Sequence, residues 1–343
     1  MSAPEPAVEA VLARAVARVD APDAVIAVTR AGRHTLASAG GATERAGHRD
    51  KLRYELGSVS KTYTGLLLAV LAREGTVGLD DPITAHLPHP ASRRRALGRI
   101  TLRHLATHTA GFHRIPPDLL ALALTHPGAN VYTGYGAARL LRALARAHPR
   151  HRPGTRWRYS NFGAALLGPA LAHAAGTDYP ALLTHRVLDP LGLDATGLAA
   201  AGDGADAPGF RGDGHTPAPA ADMGGFAAAG SVRATPADTL RFLEAHLSPG
   251  RTPLTAALTD VQVPQLRRGA TRAHTHTLTW FQHPAPGGPL LFHAGETLGQ
   301  QAFCGYHPAT GTGLAAFATR RGRHSGLVDT AYGALYELAG TAD

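Results

Sequence analysis

The first forty positions alternate between apolar and polar residues in a way that predicts one helix and one β-hairpin. Apolar side chains recur at helical spacing over residues 7–19, at Val8, Val11, Leu12, Ala15 and Val16. Two β-rich runs, residues 24–29 and 34–39, flank a short turn that contains Gly32. Runs at this spacing are typical of a hairpin, and we expect it at the edge of a sheet near the N-terminus.

A strongly apolar segment, SVSKTYTGLLLAVLAR at residues 58–73, predicts a central helix that is buried on nearly all sides. Glu74 and Gly75 are expected to end it. The region from about residue 80 to residue 225 has few strand patterns. It predicts helices at 102–107, 136–147, 162–175 and 179–188, joined by proline-rich links. We interpret this region as an inserted helical lobe.

Strand patterns return after a stretch rich in Gly, Ala, Asp and Pro at residues 200–225. A helix is predicted first, over residues 236–246, with Thr235 as its N-cap. Strands are then predicted at 274–281, 289–293, 301–306 and 313–319, followed by a closing helix over residues 327–339. No internal repeat interrupts this order.

These elements predict an α/β fold with an antiparallel sheet flanked by helices and an inserted helical lobe. A chain of 343 residues exceeds what one simple core usually holds, so two lobes are expected. Residues 1–78 and 226–343 are predicted to form one discontinuous α/β lobe, and residues 79–225 the helical lobe. The active site is expected at their junction.

The charge balance is basic, with 34 Lys+Arg against 25 Asp+Glu and a formal charge of +9. Only Lys51 and Lys61 are lysines, so nearly all the cations are arginines in a chain also rich in Ala and Gly, as GC-rich codon usage would produce. The arginine clusters at 93–95 and 320–323 are short, and aromatic residues make up only 6% of the chain. We therefore expect solvated surface there rather than a nucleic-acid interface.

The same residues predict a cytoplasmic protein without a membrane anchor. A single cysteine, Cys304, cannot form an internal disulfide, and charged residues interrupt the N-terminal stretch before any signal-peptide core forms. The longest strongly apolar run, residues 66–72, is far shorter than the roughly 20 residues that a membrane span requires.

Ser58 and Lys61 are the first candidate catalytic pair. Residues three apart on a helix share a face, with Cβ atoms roughly 5–6 Å apart, so the Lys61 amine can reach the Ser58 hydroxyl. Such an amine accepts the serine proton only if burial or nearby positive charge lowers its pKa from about 10.4. The alternative is a capping serine beside a surface lysine. Composition argues against it, since one of two lysines stands where arginine could not act as a base.

Tyr159 and Asn161 lie between a turn signal at residues 153–155 and a helical pattern. A tyrosine hydroxyl that bridges Ser58 and Lys61 can relay a proton to a leaving group, and an asparagine amide can hold a substrate carbonyl. The alternative is that Tyr159 packs in the core and Asn161 caps the helix.

The third candidate motif, HAGE at residues 293–296, ends a strand pattern. His293 and Gly295 point the same way on a strand, and glycine lets a ligand approach the backbone closely. The alternative is a histidine at a strand end followed by a glycine-containing turn.

The three motifs and the sequence segments between them resemble the serine β-lactamase/penicillin-binding superfamily, in its class C β-lactamase, D,D-peptidase and family VIII esterase branch. The resemblance spans nearly the whole chain in the right order. It is carried by ELGSVSKTYTG (55–65), EGTVGLDDPI (74–83), ITLRHLATHTAG (100–111), PGTRWRYSNFGAALLG (153–168), LDPLGLDATG (188–197) and HAGETLG (293–299).

The resemblance implies a β-lactamase/D,D-peptidase-like fold and a role for each motif. The implied roles are Ser58 as acylated nucleophile, Lys61 as its base, Tyr159 as proton relay, Asn161 as substrate-contacting amide, His293 and Gly295 as the third motif on an edge strand, and the backbone N–H groups of Ser58 and Glu296 as oxyanion hole.

Two residues depart from the family pattern. His293 stands where true β-lactamases typically carry lysine, which resembles esterases, some peptidases and transacylases. Glu296 stands where small or hydroxyl residues are usual, and its carboxylate is expected to repel a carboxylate substrate and to receive an amine. With no signal peptide expected, the cell wall is not the predicted substrate.

We therefore predict a cytoplasmic serine esterase or transacylase acting on an ester or amide of a small, secondary-metabolic type of substrate. The alternatives are a β-lactamase or D,D-peptidase-type hydrolase, and a non-catalytic binding module with the same fold. Expected partners are a small-molecule acyl donor and an amine or alcohol acceptor, with an acidic carrier protein as a further candidate. No cofactor and no metal are expected, because serine acyl transfer needs neither and H-E-x-x-H is absent.

Overall fold

The protein is built around one eight-stranded antiparallel sheet, as the computed structural model describes it for residues 6–41, 49–88, 97–126, 128–202, 204–268 and 274–340. The strand order is β2-β1-β12-β11-β10-β9-β8-β7. The strands are β1 (Asp23–Arg30), β2 (Arg33–Gly40), β7 (Leu266–Arg268), β8 (His274–His276), β9 (Phe281–Ala285), β10 (Gly288–Glu296), β11 (Gln301–His307) and β12 (Thr312–Ala318). The predicted antiparallel α/β architecture is confirmed.

The predicted hairpin forms β1 and β2, and β2 is the edge strand as expected. The N-terminal and C-terminal parts of the chain meet in this sheet, because residues 24–30 of β1 pair with β12. Side chains of β1 alternate between two cores: Val25 packs in one hydrophobic cluster and Ile26 in the other. The sheet is therefore covered on both faces.

One face is covered by the first and last helices, α1 (Pro6–Val16) and α12 (Leu327–Gly340). The other face carries α2 (Ser60–Arg73) and α10 (Pro236–Leu247). Residues 60–71 of α2 are all buried, which confirms the predicted central helix. Thr235 caps α10 as predicted, because its side chain accepts from the Asp238 N–H.

The region between residues 80 and 225 is mainly helical, as predicted, and its strands are short. The helices are α3 (Leu102–Ala106), α4 (Pro117–Thr125), α5 (Ala137–Arg146), α6 (Asn161–Ala175), α7 (Tyr179–Leu183) and α8 (Asp189–Leu191), with a π-helical turn at Thr184–Leu188 between the last two. Helix α4 has no counterpart in the sequence prediction. The one strand pair within this region is β4 (Gly209–Phe210) with β5 (Pro217–Ala218), among the residues described there.

Short elements connect the sheet to these helices. They are β3 (Tyr54–Glu55), which pairs with β6 (Arg233–Ala234), the helices α9 (Ala227–Gly230) and α11 (Thr255–Asp260), and 3-10 turns at Gly57–Val59, Ile83–His86, Leu97–Arg99, Gly224–Phe226, Pro249–Arg251, Pro308–Thr310 and Arg323–Ser325. The lobe boundaries at 78/79 and 225/226 stay a prediction.

The prediction of a single strand over residues 274–281 is wrong. The chain turns back after β8, so that His276 pairs with Phe281 of β9. Thr277 makes this turn: its N–H donates to the Trp280 carbonyl, and its hydroxyl accepts from the Trp280 N–H at 3.1 Å. The alternating HTHTLTWF pattern does not reveal this local hydrogen bonding.

Two further expectations concern a membrane-spanning helix and the arginine clusters. No helix in the described ranges is both long and apolar enough to cross a bilayer. The arginine cluster at 93–95 lies outside the described residues.

Candidate active site

Ser58 lies in the 3-10 turn that precedes α2, and Lys61 lies in the first turn of that helix. The Lys61 amine contacts the Ser58 hydroxyl with an Nζ–Oγ distance of 2.9 Å. It also donates to the Ala229 carbonyl at 2.7 Å. The structure thus brings together the pair that the three-residue spacing predicts, and the alternative of a surface lysine is wrong.

Burial disfavours the charged ammonium form of Lys61. Its residue is only 2% exposed, and neither hydrogen-bond partner carries a negative charge. Burial lowers the pKa of Lys61 well below its usual value, and the positive charge of Arg114 lowers it further. A neutral amine can donate to Ala229 while its lone pair accepts the Ser58 proton.

Tyr159 completes a hydrogen-bonded group with Ser58. The Lys61 Nζ lies 5.2 Å from the centre of the Tyr159 ring. Burial raises the pKa of Tyr159 to about 12, although its hydrogen bond to Ser58 and the Arg114 charge act in the opposite direction. The phenol is therefore protonated at neutral pH, which suits a proton donor or relay better than a base.

Asn161 is the first residue of α6 rather than its cap. The cap is Ser160, whose hydroxyl accepts from the Gly163 N–H at 2.9 Å. The Asn161 side chain is hydrogen-bonded to the Tyr132 hydroxyl, while its buried Oδ1 has no hydrogen-bond partner among the described residues. The capping alternative is wrong, and the Asn161 Oδ1 is free to accept a hydrogen bond from a ligand. Its contact with a substrate stays a prediction.

His293 is buried, with 1% exposure, and is electrically neutral. Burial lowers its pKa to about 3. Its Nδ1 lies 2.8 Å from the Ala294 carbonyl and must carry the ring proton, which leaves Nε2 as an acceptor. That atom is buried and has no partner among the described groups. His293 therefore offers a lone pair, not a positive charge.

The third motif lies at the open end of β10. Strand β9 pairs with β10 only as far as Phe292, so the expectation of an edge strand holds for residues 293–296 but is wrong for the rest. A Cβ atom placed on Gly295 would lie 2.0 Å from the Leu56 carbonyl oxygen and 2.7 Å from the Ser58 backbone nitrogen. Gly295 therefore lets β10 contact the backbone of the 3-10 turn Gly57–Val59, which is called the serine turn below.

Gly57 makes the same contact from the other side. It has a φ of +49°, and a Cβ atom there would lie 2.7 Å from the backbone nitrogen of Glu296. The backbone amides of Ser58 and Glu296 are thus brought to the two sides of one contact between the serine turn and β10. Paired amides of this kind are the donors that oxyanion stabilisation requires.

The Glu296 carboxylate already has partners. One oxygen lies 3.5 Å from Nε of Arg321, and the other accepts from Gln301 Nε2 at 3.0 Å. The side chain remains 42% exposed at the rim of the site. The negative charge predicted beside the oxyanion donors is present, but Arg321 partly compensates it.

A cleft of about 940 Å³ connects these groups. Its lining includes all the predicted site residues except Lys61, which lies beneath Ser58: they are Ser58, Tyr159, Asn161, His293, Gly295 and Glu296. The cleft also includes Arg114 and Tyr132, which the sequence prediction did not select. Its volume suits a small-molecule substrate.

His108 is a further residue that the sequence prediction missed. Its carbonyl accepts from the Arg158 N–H at 2.8 Å, and its Nδ1 accepts from the Ser160 N–H at 3.3 Å. The two donors flank Tyr159, whose ring centre lies 4.4 Å from that of His108. His108 adopts φ +57°, a left-handed conformation that is uncommon for a non-glycine residue. No pattern in a single sequence reveals such a conformation.

Metal-site geometry is not found in the described ranges, where no group of three or more His, Cys, Asp or Glu side chains is placed to hold an ion. The buried residues His276 and His246 lie in aromatic surroundings.

An antiparallel sheet flanked by helices, with a serine hydroxyl in contact with a buried lysine amine, is an arrangement typical of serine acyl-enzymes. Residues 8–338 match the family model described as "Beta-lactamase". The chain belongs to this family.

Individual relatives are more distant. Protein flp of Staphylococcus aureus (strain N315) is 29% identical over 169 residues, covering 48% of this chain and 32% of its own length. A β-lactamase of Pseudomonas fluorescens is 26% identical and covers 82% of this chain and 83% of its own. The chain thus matches about a third of the length of the first of these relatives.

The fold also matches solved structures. A class C β-lactamase from Rhodobacter sphaeroides superimposes with a TM-score of 0.80 at 23% sequence identity, covering 97% of this chain and 99% of the other. At this identity the likeness shows the fold. It confirms the predicted β-lactamase/D,D-peptidase-like architecture.

Replacement of Lys61 by arginine tests the base. Lys61→Arg places a permanently charged guanidinium where the account requires a neutral amine, and arginine cannot act as a proton acceptor, so kcat on an activated ester should fall about 10²- to 10⁴-fold. Lys51→Arg, at the exposed second lysine, is the matched control and should keep wild-type kcat. Steady-state kinetics at constant pH measure both, and near-wild-type activity of Lys61→Arg would show that another group takes the proton.

Substitutions at His108 test how Tyr159 is positioned. His108→Asn should keep most activity, because asparagine tolerates the left-handed conformation and its Oδ1 can accept from the Ser160 N–H. His108→Gly relieves the backbone but removes the acceptor, and its kcat should fall about 10- to 100-fold with little change in KM. Wild-type kcat in His108→Gly, with unchanged thermal stability, would assign the side chain no part in positioning.

Proposed function

We propose that the chain is a serine acyl-enzyme hydrolase or transacylase that acts on an ester or amide of a small molecule. The observation that carries the proposal is the 2.9 Å contact between Ser58 Oγ and the buried Lys61 amine. This contact supplies a nucleophile and a base whose pKa burial lowers well below the usual lysine value.

Acylation begins when the Ser58 oxygen attacks the substrate carbonyl carbon and its proton passes to Lys61 Nζ. The resulting tetrahedral oxyanion is held by the backbone N–H groups of Ser58 and Glu296. As the carbon–leaving-group bond breaks, the Tyr159 hydroxyl protonates the leaving group and is reprotonated by the Lys61 ammonium. The protonated phenol in contact with Ser58 supports this assignment.

Deacylation reverses these proton movements with a second nucleophile. Water, an alcohol or an amine attacks the Ser58 ester, and its proton passes through Tyr159 and Lys61 to the departing serine oxygen. The product is a free acid in hydrolysis and a new ester or amide in acyl transfer. No redox step and no cofactor enters this sequence.

An esterase or transacylase is favoured over a β-lactam hydrolase by the state of His293. A neutral imidazole with a free acceptor cannot attract a substrate carboxylate as a lysine ammonium would. Its Nε2 is instead suited to a hydroxyl or N–H donor of the substrate. A β-lactamase or D,D-peptidase-type hydrolase is the second candidate, supported by the family and by relatives that carry the β-lactamase name.

Glu296 is the basis for proposing an amine acceptor. Its carboxylate lies next to the oxyanion donors and remains partly exposed, so it can orient the cationic precursor of an attacking amine. The contact with Arg321 weakens but does not remove this charge. A cytoplasmic setting and an acidic carrier protein as acyl donor stay predictions from the sequence.

Covalent labelling tests the nucleophile and separates an enzyme from a binding module. A fluorophosphonate should add once per chain, at Ser58, and Ser58→Ala should lose both labelling and ester turnover. Ser60→Ala, two residues away in the same segment, is the control and should still be labelled. Intact-mass spectrometry with peptide mapping measures this, and an adduct that persists in Ser58→Ala would remove Ser58 as nucleophile.

Product partitioning tests acyl transfer. With an ester donor and a series of primary amines, amide should form at the expense of acid, and Glu296→Gln should reduce amide formation several-fold more than hydrolysis. Mass spectrometry quantifies both products. Equal losses of both products, or no amide with any amine, would leave a plain esterase.

A further inference from the structure

Arg114 is an arginine of the cleft without an anionic partner. It precedes α4, is exposed, and lines the cleft together with Tyr159 and Asn161. Its guanidinium carbon lies 5.6 Å from the centre of the Tyr159 ring. Within the described ranges no ion pair or side-chain hydrogen bond involves its guanidinium, and the acid that follows it, Asp118, is already bound by Arg139 and Tyr135.

The position of Arg114 is fixed relative to the catalytic groups. Its carbonyl accepts from the Phe162 N–H at 3.0 Å, which ties it to the first turn of the helix that begins with Asn161. Its charge reaches the catalytic groups, because it lowers the pKa of both Lys61 and Tyr159, although burial is the larger influence on each. The backbone of Arg114 is therefore anchored beside the acylation centre, and its exposed guanidinium lies near the Tyr159 ring.

The other arginines of the cleft differ from Arg114. Arg321 is paired with Glu296, and Arg323 comes from the 3-10 turn that precedes α12, on the sheet side of the cleft. A guanidinium without a carboxylate, beside the Tyr159 ring, has the donors that a planar oxyanion requires.

We propose that Arg114 forms a subsite for a carboxylate on the acyl part of the substrate, so that the preferred donors are half-esters or half-amides of dicarboxylic acids. The inference rests on the proposed acyl-enzyme function and names its substrate class. In the bound state the carboxylate accepts two hydrogen bonds from the guanidinium, and the reacting carbonyl reaches Ser58 across the Tyr159 ring.

Kinetics on two esters of equal chain length that differ in charge test the subsite. The mono-p-nitrophenyl ester of adipic acid is compared with p-nitrophenyl hexanoate, which has the same chain length without the charge. Wild type should favour the adipate ester, and Arg114→Gln should lower kcat/KM for it on the order of 10- to 100-fold, chiefly through KM. Loss of the Arg114 charge near Lys61 and Tyr159 acts on both esters alike, so the ratio of kcat/KM for the adipate ester to kcat/KM for the hexanoate ester is the readout. This ratio should fall on the order of tenfold or more in Arg114→Gln, and Arg114→Lys should recover part of it.

Arg323→Gln is the matched control, because it removes another exposed arginine that lines the same cleft. It should keep the wild-type ratio of kcat/KM for the two esters. Equal losses on both esters in Arg114→Gln, or loss of the ratio in Arg323→Gln but not in Arg114→Gln, would overturn the proposal.

Binding without turnover separates this inference from the proposed function. Monomethyl adipate is titrated calorimetrically into Ser58→Ala and into Ser58→Ala with Arg114→Gln, and binding should weaken on the order of tenfold or more in the double variant. Equal binding by the two variants would overturn the subsite even if the fluorophosphonate labels Ser58 of the wild-type protein. Weaker binding by the double variant, together with no labelling of Ser58 in the wild-type protein, would support the subsite and reject the acyl-enzyme function.

Discussion

The chemistry of this protein depends on the burial of one lysine amine. A charged ammonium in this position would lose its hydration without gaining a carboxylate, because its hydrogen-bond partners within the described part of the chain are the Ser58 hydroxyl and the Ala229 carbonyl. The helix that carries it is buried on all sides up to residue 71. The same apolar packing that makes α2 the centre of the fold therefore lowers the pKa of Lys61 and suits it to the proposed role of base.

A second constraint joins the helix to the sheet. Gly57 and Gly295 allow the serine turn and the end of β10 to touch through their backbones, with no room for a Cβ atom on either side. This contact sets the backbone amides of Ser58 and Glu296 relative to the nucleophile. The helical region contributes Tyr159 through a loop that His108 holds by hydrogen bonds on both sides. Three separate parts of the chain thus meet at one reacting oxygen.

Local patterns in the sequence predicted most of the elements and the residues that the structure brings together in the cleft. The lysine was recognisable because arginine fills nearly every other basic position. The features that were missed depend on contacts between distant segments or on local side-chain bonding. The Thr277 turn hides inside an alternating pattern, the left-handed His108 has no sequence signature, and the pairing of Glu296 with Arg321 appears only when β10 meets the segment after β12.

The protonation state of Lys61 is the most direct measure of this account. The chain has only two lysines, so lysine labelled with ¹³C gives two sets of side-chain NMR signals, and Lys51→Arg assigns them. The Lys61 Cε signal should titrate well below the usual lysine pKa of about 10.4, with the amine neutral at the pH of catalysis. A Lys61 signal that stays in the ammonium form up to pH of about 10 would contradict the assignment of this residue as the base.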